Sequence, residues 1–124
     1  MASRRSIEIE GFAHLAAIPA ATRIGPLLVS SVIVSFNPGT RDIPDATADQ
    51  VANIYTFVDR ILAEGGATWD DVAKMDFWVP SNDVRPEVDV IWKQRFPDED
   101  ARPSRHIHVT GTFVTATVMA YVGD

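Results

Sequence analysis

Residues 27–34 are the feature of this sequence that most constrains the fold. The stretch is almost continuously apolar and rich in β-branched side chains. It is preceded by a Gly-Pro pair at positions 25–26 and followed by the turn residues Asn37, Pro38 and Gly39. A short apolar run between turn signals is typical of a strand that is buried on both faces. We therefore predict a strand over residues 27–34 that needs covering from both sides of its sheet.

Two amphipathic helices are predicted farther along the chain. Apolar residues recur at helical spacing between positions 51 and 62. Thr47 followed by Gln50 three residues later resembles a capping box, and the glycines at 65–66 are a helix end signal. The second helix is predicted over residues 83–95, with Pro97 as its limit. A short turn is predicted at residues 69–72.

The order of the elements indicates an α+β architecture. Four further strands are predicted, at residues 6–10, 73–79, 105–110 and 113–121. Strands, helix, strand, helix and two strands favour a mixed sheet with both helices packed on one face. Two helices do not cover both faces, although the strands offer few polar residues to water. We therefore expect a second copy of the chain on the other face, in an obligate oligomer.

Composition excludes several classes of function. The 124 residues, expected to form a single domain over 1–124, carry a net charge of -6 with only 11 Lys and Arg, so we expect no nucleic-acid partner and no anionic membrane partner. The chain has no cysteine, which excludes disulfides and a thiol nucleophile.

The N-terminal stretch resembles no secretory signal, and no apolar run is long enough to span a bilayer. We expect a cytoplasmic protein.

A series of short motifs resembles the Rid/YjgF family of reactive-intermediate deaminases. The motifs are Pro19-Ala20-Ala21; Gly25 and the strand ending in Ser30-Ser31; Gln50, Asn53 and Leu62; Gly66, Asp70, Asp71, Val72 and Lys74; and Phe96-Pro97 followed by Pro103-Ser104-Arg105. They extend over residues 7–122, and their order and spacing together are specific. The resemblance implies a chorismate-mutase-like fold and a homotrimer with a site in each inter-subunit cleft. It also implies hydrolysis of 2-imino or 2-amino-enoic acids to 2-oxo acids and ammonia, without metal or cofactor.

Arg105 is the residue most suited to hold a small carboxylate substrate. Its guanidinium is always charged and presents a planar fork that matches a carboxylate. The resemblance makes it the family's carboxylate-binding arginine and our candidate catalytic residue. Taken from the residues alone, a salt bridge to Glu87 or Asp89 is the alternative.

Three further residues are candidates for substrate binding. The resemblance places Ser31 at the strand end that lines the cleft, with a buried strand serine bonded to backbone as the alternative. Asp89 falls where many members have an asparagine, and an exposed helix aspartate is the alternative. Thr117 lies near the position of the family's C-terminal glutamate. A threonine hydroxyl can hold a water molecule but is a poor general base.

Two departures from the family pattern bear on the chemistry. No Asp or Glu occurs between His106 and Gly123, so the family's glutamate is absent. Either the substrate assists its own proton transfer, or the substrate differs, or the site only binds. Val32 and Ile33 replace the usual Gly and Gln, which predicts a narrower and more apolar pocket.

The histidines carry no clear assignment from sequence. His106 and His108 are two residues apart, so they share one strand face, opposite Arg105. No third ligand is evident, and we expect no metal site. His14 lies in the segment that leads to the presumed cleft, where an acid–base role and an ordinary loop position are both open.

Overall fold

A computed structural model describes residues 3–123 of the chain. It contains seven strands and two α-helices. In chain order they are β1 (Arg4–Ile7), β2 (Ala21–Ile24), β3 (Leu27–Ser30), β4 (Ile33–Val34), α1 (Thr47–Glu64), β5 (Val72–Val79), α2 (Arg85–Arg95), β6 (Ser104–Val109) and β7 (Thr115–Tyr121).

The strands form one mixed sheet in the order β1-β2-β3-β7-β5-β6, with β4 also paired to β7. The pairs are antiparallel except β5 and β6, which are parallel and joined through α2. A parallel pair needs a long crossover, and a helix is its usual form. The predicted α+β class with a mixed sheet and two helices is confirmed.

The hydrophobic core lies between one face of the sheet and the two helices. The inward residues of the central strands β5 and β7 include Met75, Phe77, Ala116 and Val118, all at most 3% exposed. The apolar stripe of α1 packs on them and is itself buried. We call this the helix side of the sheet, and the opposite side its outer face.

The outer face has no covering element among residues 3–123. Because side chains alternate along a strand, the outward positions of β2, β3 and β7 follow from the strand pairing. They include Ile24, Leu27, Met119 and Tyr121, which are 38–60% exposed. The expectation that two helices cover only one face is thus confirmed, and the apolar outer face is left open by this chain.

The predicted strand over residues 27–34 is interrupted. It forms β3 and β4, with Ser31 and Val32 between them outside any strand. Leu27 and Val32 are exposed at about two fifths of their surface, so the run is not buried on both faces within one chain. β2 was not predicted; it pairs with β3 across the Gly25–Pro26 turn, where Gly25 has a positive φ of 55°.

Other boundaries differ in smaller ways. The strand predicted at residues 6–10 lies at Arg4–Ile7 instead, where it pairs with β2. The second helix begins after a short 3-10 turn at Asn82–Val84, and the turn predicted at residues 69–72 is a 3-10 turn at Trp69–Asp71.

Within the described residues, no helix combines the length and apolarity needed to cross a membrane.

Gln50 does not take part in the predicted capping box. The N-cap of α1 is Ala46, without a side-chain cap. Gln50 is 4% exposed, accepts a hydrogen bond from Val114 N–H at 2.9 Å and donates one to the carbonyl of Pro44 at 2.8 Å. Its amide therefore ties the start of α1 to the segment just before β7.

We expect Gln50→Ala to lower the free energy of unfolding by about 2–3 kcal/mol, because Val114 N–H would be buried without a partner. Urea denaturation followed by circular dichroism measures the change. Gln94→Ala, at an exposed position of α2, is the control and should stay within about 0.5 kcal/mol of wild type. Equal losses in the two variants would contradict a specific role for Gln50.

Candidate active site

Arg105 is the second residue of β6 and lies on the helix side of the sheet. It pairs with Met75 of β5, whose side chain is fully buried in the core. Position 105 therefore points toward α2, the helix that leads from β5 to β6. Arg105 is thus a partly buried cation at the boundary between the core and the second helix.

Two residues of α2 hold the Arg105 guanidinium. Its Nη1 donates to Asp89 Oδ1 at 2.6 Å, and its Cζ lies 4.9 Å from the centroid of the Trp92 ring. The side chain of Arg105 is 19% exposed and that of Asp89 is 37% exposed. A charge-assisted bond and an aromatic face together restrict the guanidinium. The ion pair to Asp89, one of the alternatives from sequence, is therefore formed.

Tyr55 of α1 lies close to this pair. Its hydroxyl donates to the carbonyl of Val88 at 3.2 Å, and its side chain is fully buried. Burial raises the pKa of the Tyr55 phenol well above its ordinary value, and the opposing charge of Arg105 offsets this only in part. The phenol therefore stays neutral near neutral pH and does not act as a base.

Ser31 lies between β3 and β4, on the opposite side of β7 from β5 and β6. Its Oγ donates to the carbonyl of Pro19 at 2.8 Å. The hydroxyl is thus bonded to backbone, as in the alternative derived from sequence. Ser31 and Arg105 are separated by three strand spacings, which is a distance on the order of 14 Å.

Only one of the two apolar residues after Ser31 is exposed. Val32 is 41% exposed, whereas Ile33 is fully buried in the core. Of the two replacements for the family's Gly and Gln, only Val32 is therefore available to narrow a pocket. The part of the expectation that concerned Ile33 is wrong, because β4 turns that side chain inward.

Thr117 lies on the outer face, in register with Asp76 of β5. Its neighbour Ala116 is fully buried on the helix side. Thr115 and Thr117 therefore share the outer face. A cavity of about 210 Å³ borders Thr117 and is also lined by Val29, Ser30, Lys74, Asp76, Val118 and Met119.

The four candidate residues do not form one site within a single chain. Arg105 and Asp89 are in contact, whereas Thr117 lies on the other face of the sheet and Ser31 lies several strands away. If they act together, residues from two copies of the chain have to meet. The sequence motifs did not indicate this separation, because it depends on strand order.

A cluster of Asp76, His106 and His108 was missed by the sequence analysis. The parallel register of β5 and β6 places Asp76 beside His106, and Asp76 Oδ1 lies 3.1 Å from His108 Nε2. The two histidines share the outer face, as predicted. The expectation of no metal site depended on the lack of a third ligand, and Asp76 now supplies such a group. The charged Asp76 between the apolar residues Met75 and Phe77 of β5 was the available signal.

The contacts of His14 involve none of the candidate residues. Its ring packs edge-on against Phe12, with ring centroids 5.0 Å apart. Its Nε2 is buried, with no hydrogen-bond partner among residues 3–123. These contacts give no support to an acid–base role for His14 in a single chain.

Comparison with known proteins gives both sequence and structural relatives. No family model matches the chain. A RutC family protein from Aquifex aeolicus is 26% identical over 85 residues, which is 68% of each chain. A Mycobacterium tuberculosis member of the YjgF/YER057c/UK114 family is 25% identical, with a TM-score of 0.78 over 97% of this chain and 100% of that one.

More distant structures share the same fold. A Rid family protein from Yersinia pestis has a TM-score of 0.86 at 20% identity, over 97% of this chain and 100% of that one. The YjgF gene product of E. coli has a TM-score of 0.82 at 18% identity, over 94% of this chain and 98% of the other. With the ordered motifs that end in Pro103-Ser104-Arg105, these matches show that the chain is similar in sequence and in fold to Rid/YjgF and RutC family proteins.

Proposed function

We propose that this protein is a hydrolytic deaminase of small imine or enamine carboxylic acids. Its products would be a 2-oxo acid and ammonia, with water as the second substrate and no cofactor in the reaction. Arg105 would hold the substrate carboxylate in a cleft between subunits of a cytoplasmic homotrimer. The similarity to Rid/YjgF and RutC family proteins supports the proposal, and the restrained guanidinium of Arg105 is the observation that carries it.

Arg105 has donors to spare for a substrate. A guanidinium offers five N–H groups. Within residues 3–123, Asp89 accepts from Nη1, and Arg105 makes no other hydrogen bond. The Trp92 ring packs against the guanidinium, so less conformational freedom is lost when a ligand binds. A small carboxylate can therefore accept from the remaining N–H groups beside Asp89.

The proposed reaction requires few chemical groups from the protein. Water adds to the carbon of the protonated imine, and the C=N bond becomes a single bond in a carbinolamine. A proton passes from the added water to the nitrogen. The C–N bond then breaks as the C=O bond of the 2-oxo acid forms, and the remaining hydroxyl proton goes to the departing ammonia, which leaves as ammonium. The nitrogen of the substrate can accept that proton, so no protein carboxylate is required at Thr117. The role left for the protein is to position the substrate and exclude competing reactions.

The outer face supports an oligomeric site. Ile24, Leu27, Met119 and Tyr121 leave an apolar surface that the chain itself does not cover. Packing copies against it would bury this surface. It would also allow Ser31 or Thr117 of one copy to approach Arg105 of another, which one chain cannot do. A homotrimer is the assembly that the family resemblance implies.

A second candidate function is a non-catalytic module that binds small carboxylates. Asp89 already occupies one donor of Arg105, and the outward positions of β7 include no carboxylate. Both observations favour binding over turnover. A specialised enamine deaminase is the related alternative, since an exposed Val32 would suit a larger, more apolar substrate.

A nucleic-acid role is disfavoured. Structural relatives from Thermotoga maritima and Vibrio vulnificus bear the names of a proposed endoribonuclease and a proposed translation initiation inhibitor. This chain has a net charge of -6. Binding to phosphates relies on clustered positive charge, which such a composition does not favour.

We expect Arg105→Ala to reduce kcat/KM by about 100-fold or more, because the charge-assisted bonds to the substrate carboxylate are lost. The assay is ammonia release from 2-iminopropanoate generated in situ. Arg85→Ala, at an exposed position at the start of α2, is the matched control and should retain wild-type activity. A wild-type protein that does not accelerate ammonia release would overturn the deaminase proposal and favour the binding module.

We expect Asp89→Asn to lower KM by roughly fivefold with little change in kcat. The asparagine oxygen can still accept from Arg105, while removal of a negative charge about 5 Å from the substrate carboxylate contributes on the order of 1 kcal/mol. Steady-state kinetics on the same substrate measure this. A large fall in kcat at constant KM would contradict it, and would mean that Asp89 acts on the water or a proton.

We expect Met119→Asp to disrupt the oligomer, because a charge on the outer face would be buried between copies. Light scattering after size exclusion gives the mass, and deaminase activity should fall with the assembly. Ala52→Asp, on the exposed side of α1, adds the same charge without touching the outer face and should leave the mass unchanged. A monomeric wild-type protein, or an unchanged mass for Met119→Asp, would refute this assembly.

A further inference from the structure

Three side chains on the outer face converge on one point. Asp76 of β5 and His106 and His108 of β6 each offer a potential metal ligand, and these atoms all lie within 4.8 Å of one another. Asp76 Oδ1 and His108 Nε2 are already 3.1 Å apart. The parallel register, which pairs Asp76 with His106 and Trp78 with His108, fixes the arrangement in the sheet backbone.

The surroundings restrain the cluster. The His108 ring stacks on Trp78 at a centroid distance of 4.7 Å and an interplanar angle of 8°. The His106 ring stacks on His108 at 3.8 Å and 29°. Asp76 is 21% exposed and also lies 3.7 Å from Lys74 Nζ. Two imidazoles and a carboxylate are therefore held together by packing, although like-charged histidines at this distance would repel each other if both were protonated.

We propose that Asp76, His106 and His108 bind a divalent transition-metal ion of the Zn²⁺ class. Two imidazole nitrogens and one carboxylate oxygen are ligands that Zn²⁺ accepts at about 2.0–2.2 Å. Three protein ligands leave the fourth tetrahedral position open for water or a small ligand. Carboxylate and imidazole together suit Zn²⁺ and its neighbours better than Mg²⁺ or Ca²⁺, which prefer oxygen ligands alone.

The distances fit such an ion after small side-chain movements. Ligand atoms about 2.0–2.1 Å from a tetrahedral centre lie about 3.3 Å apart. The Asp76–His108 separation of 3.1 Å is close to this value, and the other ligand atoms, within 4.8 Å of one another, would move closer together on binding. Lys74 would move away from Asp76, which its 47% exposed side chain permits.

The cluster borders a cavity through Asp76. Asp76 lines the cavity of about 210 Å³ that also borders Thr117 and Ser30. A water or small anion on the metal could therefore lie beside the Thr117 hydroxyl. Arg105 of the same chain is on the opposite side of the sheet, so none of the three metal ligands is a residue of the proposed deaminase site. Thr117, which borders the cavity, is a candidate residue of both sites.

The test is titration of chelator-treated, untagged protein with Zn²⁺ by isothermal calorimetry, repeated with Co²⁺ and followed by visible absorption. We expect one ion per chain with micromolar or tighter affinity, and d–d bands of a four-coordinate Co²⁺ site. His106→Asn, His108→Asn and Asp76→Asn should each weaken Zn²⁺ binding by about 100-fold or more, since even indirect partners of a metal site contribute about 10–100-fold.

His14→Asn is the matched control, because it removes the third histidine of the chain and leaves the cluster intact. It should bind Zn²⁺ like wild type. Thermal unfolding gives a second measurement: saturating Zn²⁺ should raise the Tm of wild type and of His14→Asn, but not that of His106→Asn. Binding that does not saturate at millimolar Zn²⁺, or an equal loss in His14→Asn, would overturn the proposal and leave Asp76 and His108 as an ion pair.

Discussion

The burial of one face of a sheet under two helices is the constraint on which the rest of this structure depends. The central strands β5 and β7 direct Met75, Phe77, Ala116 and Val118 into the core. Because side chains alternate along a strand, this packing also decides which residues point the other way. A one-residue slip in register would exchange the two sets, at the cost of burying polar groups. The helix side and the outer face are therefore specified together.

This alternation separates two chemically different surfaces. Arg105 points toward α2, where Asp89 and Trp92 hold it. His106, the next residue, points to the outer face and joins Asp76 and His108. One strand thus supplies a partly buried cation on one side and potential metal ligands on the other. Because β6 is the edge strand of the sheet, both surfaces lie where another subunit or a ligand could approach.

The ion pair with Asp89 stabilises Arg105 in the fold and still leaves Arg105 able to bind a ligand. A guanidinium near an apolar core needs a partner when no ligand is bound, because an unpaired buried charge is costly. Asp89 satisfies Arg105 with one bond and leaves other donors free. The same carboxylate would repel an anionic substrate, so it would tune affinity downward. An asparagine at this position would keep the bond without the repulsion.

The sequence by itself determined the class of fold, the resemblance to Rid/YjgF proteins and the residues worth testing. Strong local signals, such as the apolar stripe of α1 and the alternation in β5, depend on neighbouring residues alone and were predicted well. The β2 strand was missed because its four residues, Ala21–Ile24, gain their strand conformation from pairing with β3. Gln50 was taken for a cap because its bond to Val114 joins residues far apart in sequence.

Only the tertiary structure decided how the candidate residues combine. Strand order places Ser31 far from Arg105, and strand alternation puts Thr117 on the opposite face, so no spacing in the sequence could show that they do not meet in one chain. The parallel register of β5 and β6 brings Asp76 to His106, thirty residues away. The secondary-structure preference of a segment depends mainly on neighbouring residues. A site, in contrast, is assembled by contacts between residues far apart in sequence, and these contacts depend on how the whole chain packs.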